Sequence, residues 1–158
     1  MATLINADTS DGLKLTSDTS GEIQLQSAGT TAVTIDTSSN LKFNSGYGSV
    51  ATAYGCRAWV NFNGTGTVAI RASGNVSSIT DNGVGYYSVN FTTAMPDANY
   101  SVVCSGSYTS TGTVQHTPIV GPVAANQFTA TTSQVRIGAT TDAASATDPT
   151  SVYVAIFR

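Results

Sequence analysis

The sequence predicts an all-β chain. A short N-terminal β-repeat segment, forming a shaft or docking piece, precedes a jelly-roll-like β-sandwich. Three observations predict it. Apolar and polar residues alternate with a period of two over many short runs, and no segment repeats every 3.6 residues. Turn dipeptides of the Asn-Gly kind separate the runs. Thr (25), Ser (19), Gly (15) and Asn (10) make up 69 of 158 residues, and only 9% of residues are charged. Hydrophobic residues still reach 41%. A core is therefore possible, unlike in charge-rich, apolar-poor disordered chains.

Two domains are expected, 1–48 and 49–158. Composition changes near residue 46. Before it the only aromatic is Phe43, and Asn44-Ser45-Gly46-Tyr47-Gly48-Ser49 reads as a small, polar junction. Residues 1–45 repeat one form, a polar turn followed by apolar–polar–apolar. It occurs at Asp8–Leu15, Asp18–Leu25 and Asp36–Phe43, with a further apolar pair at Val33 and Ile35. A strand every eight to ten residues results, apolar on one face. So thin a sheet has nothing of its own to pack on. Such units become stable by stacking or association, so the segment implies a partner surface or self-assembly. Leu13, Leu15, Ile23, Leu25, Val33, Ile35, Leu41 and Phe43 are the expected oligomer interface. Three copies about one axis would turn these residues inward.

In the second domain, strands are expected at about 56–62, 67–72, 75–81, 86–92, 99–105, 127–133, 134–140 and 151–158. Turn signals lie at Asn63-Gly64-Thr65-Gly66, Ser73-Gly74-Asn75, Asp81-Asn82-Gly83-Val84-Gly85 and Pro96-Asp97-Ala98-Asn99. Eight short strands with close turns point to a double sheet. Ala58, Val60 and Phe62 face one way, and Arg57, Trp59 and Asn61 the other. Val68 with Ile70, Val89 with Phe91, and Val152, Val154 and Ile156 form further apolar sets. Tyr153, Ala155 and Phe157 make the last strand apolar on its other face too. That pattern fits a strand buried on both sides or one at a subunit interface.

Several function classes are disfavoured. The net charge is −3, and the six basic residues stand singly at Lys14, Lys42, Arg57, Arg71, Arg136 and Arg158. No nucleic-acid partner is expected without a basic patch. No membrane partner is expected, since no apolar run approaches the ~18–20 residues of a span. Met1-Ala2-Thr3-Leu4 does not open a signal peptide, so synthesis in a cytoplasm is expected. No catalytic residue is assigned. Asp81, Asp97, Asp142 and Asp148 are the second domain's carboxylates, three of them in turn contexts. His116 is the only histidine and has no nucleophile turn beside it. Neither a metal nor a cofactor is expected, because Asp8, Asp11 and Asp18 lack calcium-loop spacing. Cys56 and Cys104 read as buried free thiols, with one disulfide as the alternative.

For binding, the long polar segment 105–127 is the least regular surface, and loops on rigid scaffolds carry function. Tyr108, Gln115, His116 and Asn126 are the candidate receptor-binding residues. Tyr47, Tyr54, and Tyr86 or Tyr87 are further aromatics able to stack on sugar rings.

The run Cys56-Arg57-Ala58-Trp59-Val60-Asn61-Phe62-Asn63-Gly64-Thr65-Gly66, continuing through Ile70-Arg71-Ala72-Ser73-Gly74-Asn75 to Asp81-Asn82-Gly83, resembles a segment of tailed-phage virion proteins. These are mostly tail fibre or structural proteins, many from marine phages. Tyr87–Tyr100 and the ending Val152-Tyr153-Val154-Ala155-Ile156-Phe157-Arg158 are similar as well. Gly29-Thr30-Thr31-Ala32-Val33-Thr34-Ile35-Asp36 is similar to turns along fibre shafts. The resemblance covers most of 50–105 well and the rest loosely, and it carries no catalytic motif. It implies a virion location, a homotrimer, contact with other virion proteins through the N-terminal segment, and a host-surface glycan as partner. A short tail fibre is the first expectation, and a capsid head fibre or decoration protein is the alternative.

Overall fold

The computed structural model describes residues 20–107, 129–140 and 145–158. Among the described residues there is no helix, and all strand pairs are antiparallel. The chain divides into two compact units between Ala53 and Tyr54.

The first unit holds β1 (Ile23–Ser27), β2 (Thr30–Ile35), β3 (Leu41–Phe43) and β4 (Ala51–Thr52), paired in that order. Ala28 and Gly29 join β1 to β2 with φ of 48° and 76°. Positive φ at both loop residues matches the right-handed twist of the flanking strands. Pairing of Thr52 with Lys42 and of Ala51 with Phe43 carries this sheet past residue 48.

The second unit is a β-sandwich. One sheet is formed by β5 (Cys56–Asn63), β6 (Ala69–Gly74), β9 (Ser101–Ser107) and β11 (Ser151–Phe157), in the order β6-β5-β11-β9. The other is formed by β7 (Val76–Asp81), β8 (Tyr86–Phe91) and β10 (Gln134–Gly138), in the order β10-β8-β7. Ala58, Val60 and Phe62 of β5, with Val152, Val154 and Ile156 of β11, pack against Tyr87, Val89 and Phe91 of β8 and Val135 and Ile137 of β10. Phe62 and Tyr87 meet edge to face, with ring centroids 5.1 Å apart. Each such buried side chain contributes roughly 1.5–3 kcal/mol. Of the adjacent Tyr86 and Tyr87, only Tyr87 is fully buried.

Three local expectations are corrected. Residues 129–133 are not a strand: Thr131 to Gln134 form a turn in which Thr131 Oγ1 accepts the Gln134 amide at 3.1 Å and the Ser133 amide at 3.3 Å. A Thr hydroxyl bonding the local backbone competes with extension. Residues 127 and 128 lie outside the described residues. Ser73-Gly74-Asn75 is not a hairpin turn, because β6 and β7 belong to different sheets. It is the corner where the chain changes sheet. Asn75 sits there at φ 55°, a left-handed conformation that Asn tolerates better than most residues. Its Nδ2 donates to the carbonyls of Arg57 and Thr93, both at 3.1 Å, and its Oδ1 accepts the Thr93 amide at 2.7 Å. Finally, Cys56 is exposed, while Cys104 is partly buried, and both thiols are free. A register shift between Ile156 and Phe157 breaks the alternation beside Cys56. Cys104 lies opposite Val154, on the inner side, and burial pushes its thiol pKa up to about 12.

One end of the sandwich is tied by the Tyr87 hydroxyl. It donates to Asp148 Oδ1 at 2.7 Å, with the Gly64 carbonyl oxygen 3.1 Å away. The same Asp148 oxygen accepts the Gly85 amide at 2.7 Å. Gly64 must be glycine, since a Cβ there would stand 2.7 Å from the tyrosine oxygen and 2.8 Å from the Pro149 carbonyl. Burial first, and then the Asp148 carboxylate, hold the Tyr87 phenol well above its ordinary pKa. Tyr87→Phe leaves the partly buried Asp148 carboxylate short of a donor. It is expected to cost about 1–3 kcal/mol, read as a lower urea midpoint at unchanged slope.

Candidate functional site

The first unit places its apolar side chains in rows on one face. Ile23 lies opposite Ile35, and Ile35 opposite Leu41. Leu25 lies opposite Val33, Val33 opposite Phe43, and Phe43 opposite Ala51. Directly paired residues of antiparallel strands project to the same side, so these residues form one continuous patch. Among the described residues of the unit, nothing covers it. Ile23 and Leu25 are each 51% exposed, Leu41 47% and Phe43 43%, and Val33 and Ile35 are half-buried.

The opposite face is polar and bonded to itself. Gln24, Thr34, Lys42 and Thr52 occupy one row. Gln24 Oε1 accepts the Thr31 hydroxyl at 3.1 Å, and Gln24 Nε2 donates to Glu22 at 3.2 Å. Asp36 fixes the β2–β3 turn. Its Oδ1 accepts the amides of Ser38 at 3.0 Å and Asn40 at 2.9 Å, and its Oδ2 lies 2.8 Å from Lys42 Nζ. In the Asp36–Phe43 repeat the polar turn thus has a mechanical role: the Asp carboxylate shapes the bend and pins the following Lys.

Of the expected interface residues, the structure brings Ile23, Leu25, Val33, Ile35, Leu41 and Phe43 onto one face. Leu13 and Leu15 lie outside the described residues. So do the four receptor-binding candidates Tyr108, Gln115, His116 and Asn126, and Tyr108's aromatic alternatives are scattered. Tyr47 is 90% and Tyr54 71% exposed, Tyr86 is half-buried and Tyr87 is in the core.

The carboxylates of the second unit hold structure. Asp81 accepts the Gly83 amide at 2.9 Å, Asp97 pairs with Arg158, and Asp148 serves the Tyr87 tie. The Arg158 guanidinium holds the Asp97 carboxyl below the usual range. Asp142 lies outside the described residues. Among the described residues there is no group of three or more His, Cys, Asp or Glu placed to hold a metal, and no helix is long and apolar enough to cross a membrane. An additional surface, around Trp59 and Val103 on the outer side of the sandwich, escaped sequence reading as a unit. Its signal was present: with Val102 and Cys104 facing inward, Val103 must face out.

No protein-family model, curated protein or solved structure matches the chain.

The Asp36 turn has a definite pH dependence. The Lys42 ammonium first, and then the Asn40 amide, hold its carboxyl well below the ordinary 3.8. A carboxyl depressed in the folded state stabilises above its unfolded value and loses that contribution as pH falls. Hydrogen-exchange protection of the Ser38 and Asn40 amides is therefore expected to hold down to 3.8, the ordinary value, and to decline progressively below it. Asp36→Asn is expected to lower that protection above pH 3.8 and to remove its decline below that value.

Proposed function

We propose that this chain is a non-enzymatic phage virion structural protein, a short homotrimeric tail fibre that binds a host-surface glycan. One observation carries the assembly part of this reading: the row-aligned apolar face of β1–β4, whose large side chains are about half exposed, on a sheet with no second layer among the described residues. At roughly 25 cal/mol per Å², leaving four large apolar side chains about half exposed forgoes several kcal/mol. Covering the patch with identical patches would recover that energy. The polar reverse face would remain outside, where its Thr, Gln and Lys groups keep their bonds.

The virion part rests on the resemblance of Cys56–Gly83, Tyr87–Tyr100 and Val152–Arg158 to tailed-phage proteins. Glycan contact rests on the same resemblance and on the polar segment carrying Tyr108, Gln115, His116 and Asn126. In this reading synthesis takes place in the host bacterial cytoplasm and the protein ends in the virion. Repeated copies would turn weak contacts per site into firm attachment by avidity. The same open face would also dock on a different chain. A capsid head fibre or decoration protein, held through its N-terminal repeats, is the second reading.

Light scattering separates the two. A fibre trimer is expected at three times 16.1 kDa, and Leu25→Lys or Phe43→Lys is expected to return it to monomer mass. A wild-type monomer would overturn the trimer and favour the capsid-docked reading. Binding to host cells is expected to survive Leu25→Lys per site but to lose its avidity.

A further inference from the structure

Two Asn-Gly pairs of the second unit share a sequence and stand in opposite surroundings. Such a pair holds an electrophile, the side-chain amide carbon, one ring closure away from a nucleophile, the next main-chain nitrogen. Glycine puts no side chain in the way. At Asn63-Gly64 the nucleophile is locked. Gly64 is buried, and its amide donates to the Pro149 carbonyl at 3.0 Å. Asn63 Nδ2 is held by the carbonyls of Thr65 at 2.6 Å and Thr67 at 3.2 Å. Asn82-Gly83 is open. Both residues are exposed, and a Cβ on Gly83 would meet nothing within 4 Å. The Gly83 amide donates not to a carbonyl but to the Asp81 carboxylate, at 2.9 Å. Asn82 Oδ1 accepts from the Arg136 guanidinium at 3.3 Å. Asn82 Nδ2 donates to Ser88 Oγ at 2.9 Å, beside the polar row in which Asn90 Nδ2 donates to Ser78 Oγ at 3.0 Å and Thr80 Oγ1 at 2.9 Å. A base thus touches the nucleophile, and a cation touches the oxygen of the electrophile.

We infer that Asn82 is a self-modification site, at which the Gly83 nitrogen closes on the Asn82 side-chain amide and turns the residue into aspartate and isoaspartate. The Asp81 carboxylate takes the Gly83 amide proton, within the reach a general base needs. The nitrogen bonds to Asn82 Cγ, and the charge that develops on Oδ1 faces the Arg136 guanidinium. The bond from Cγ to Nδ2 then breaks. Nδ2 leaves as ammonia, carrying the proton that Asp81 took, and a succinimide remains. Water opens that ring, at Cγ to give aspartate or at the main-chain carbonyl carbon to give isoaspartate. No oxidant or reductant is involved. Either product adds one negative charge to the net −3 and loses the donor to Ser88. Isoaspartate also lengthens the main chain by one carbon inside a closed turn. There the Asn82 amide donates to the Tyr86 carbonyl at 2.9 Å and the Tyr86 amide to the Gly83 carbonyl at 2.8 Å. This chemistry is independent of how the chain assembles.

Peptide mapping by mass spectrometry tests it on the full-length protein. Trypsin cuts after Arg57, Arg71 and Arg136, so the two pairs fall on separate peptides, 58–71 and 72–136. Fragment spectra place the change of one mass unit within each. The folded protein and the same chain unfolded in guanidinium chloride are incubated side by side. The unfolded chain is expected to convert both asparagines at similar rates. The folded protein is expected to convert Asn82 at least as fast as the unfolded chain, and Asn63 many times more slowly. Asp81→Ala and Arg136→Gln are each expected to slow Asn82 severalfold in the folded protein and to leave the unfolded rate unchanged. Asn63 reports the fold in every sample, since its pair is locked only while the Gly64 bond to Pro149 stands. Asp81 is exposed, so Asp81→Ala decides the matter where Arg136→Gln releases Asn63. Asn82 converting more slowly in the folded protein than in the unfolded chain overturns the site. So does conversion of both asparagines at one rate in the folded protein, or Asp81→Ala converting Asn82 at the wild-type rate.

Discussion

The sandwich depends on one buried hydroxyl. Tyr87 lies at the centre of the core, and its oxygen is the single point where β8, the Gly64 turn, the Gly85 turn and the Asp148-Pro149 loop meet. Burying a phenol is tolerable only if its hydroxyl is bonded. Satisfying it here also satisfies the Gly85 amide through the shared carboxylate. Two glycines are therefore obligatory for steric reasons at either side: Gly64 below the tyrosine oxygen, and Gly85, at φ 74°, against the Ala139 and Thr147 backbones. The two sheets are held in register at that end by polar bonds, and elsewhere by aliphatic packing.

The molecule distributes hydrophobic surface unevenly. The inner faces of the sandwich are closed, and the outer face of β7, β8 and β10 is a lattice of Ser, Thr and Asn bonded to one another. Two other faces remain apolar: the rows of β1–β4 and the Trp59–Val103 groove. A chain with so few charges has little else with which to choose partners. In the proposed reading, recognition would fall to the shape and placement of apolar patches, and the hydroxyl-rich surfaces would limit indiscriminate association.

Most of the strand layout was legible in the sequence, because period-two alternation directly reports which side chain faces the core. Val152, Val154 and Ile156 against Tyr153, Ala155 and Phe157 is such a case, and so is the apolar face of β1–β4, where 23/25, 33/35 and 41/43 lie on one side. What alternation cannot report is pairing between strands distant in sequence. Ser73-Gly74-Asn75 has turn chemistry whether the next strand stays in the sheet or leaves it, and only the bonds from Asn75 to Arg57 and Thr93 decide. Thr131 misled for a similar reason. Thr is a good strand residue, yet its hydroxyl here closes a turn onto Gln134. Cys56 has the parity of a core residue, but it sits at the strand end, beside a register shift. Trp59, Ala155 and Val103 come from three strands, and their groove exists only once β11 lies between β5 and β9.

That placement of β11 sets the order in which the second unit can be built. Its central strand, β11 (Ser151–Phe157), comes last in the order of the described strands. Until it arrives, β5 and β9 have no common neighbour, and the larger sheet is two separated pieces with unpaired edges. Hairpins such as β5–β6 and β7–β8 can form early from local contacts, but the sheet closes only when β11 pairs with β5, as Val154 with Val60, and with β9, as Val154 with Cys104, contacts distant in sequence and of a slow kind. Folding of this unit is thus held back until synthesis of its final strand. The groove over Ala155, which needs that strand as its floor, forms only then.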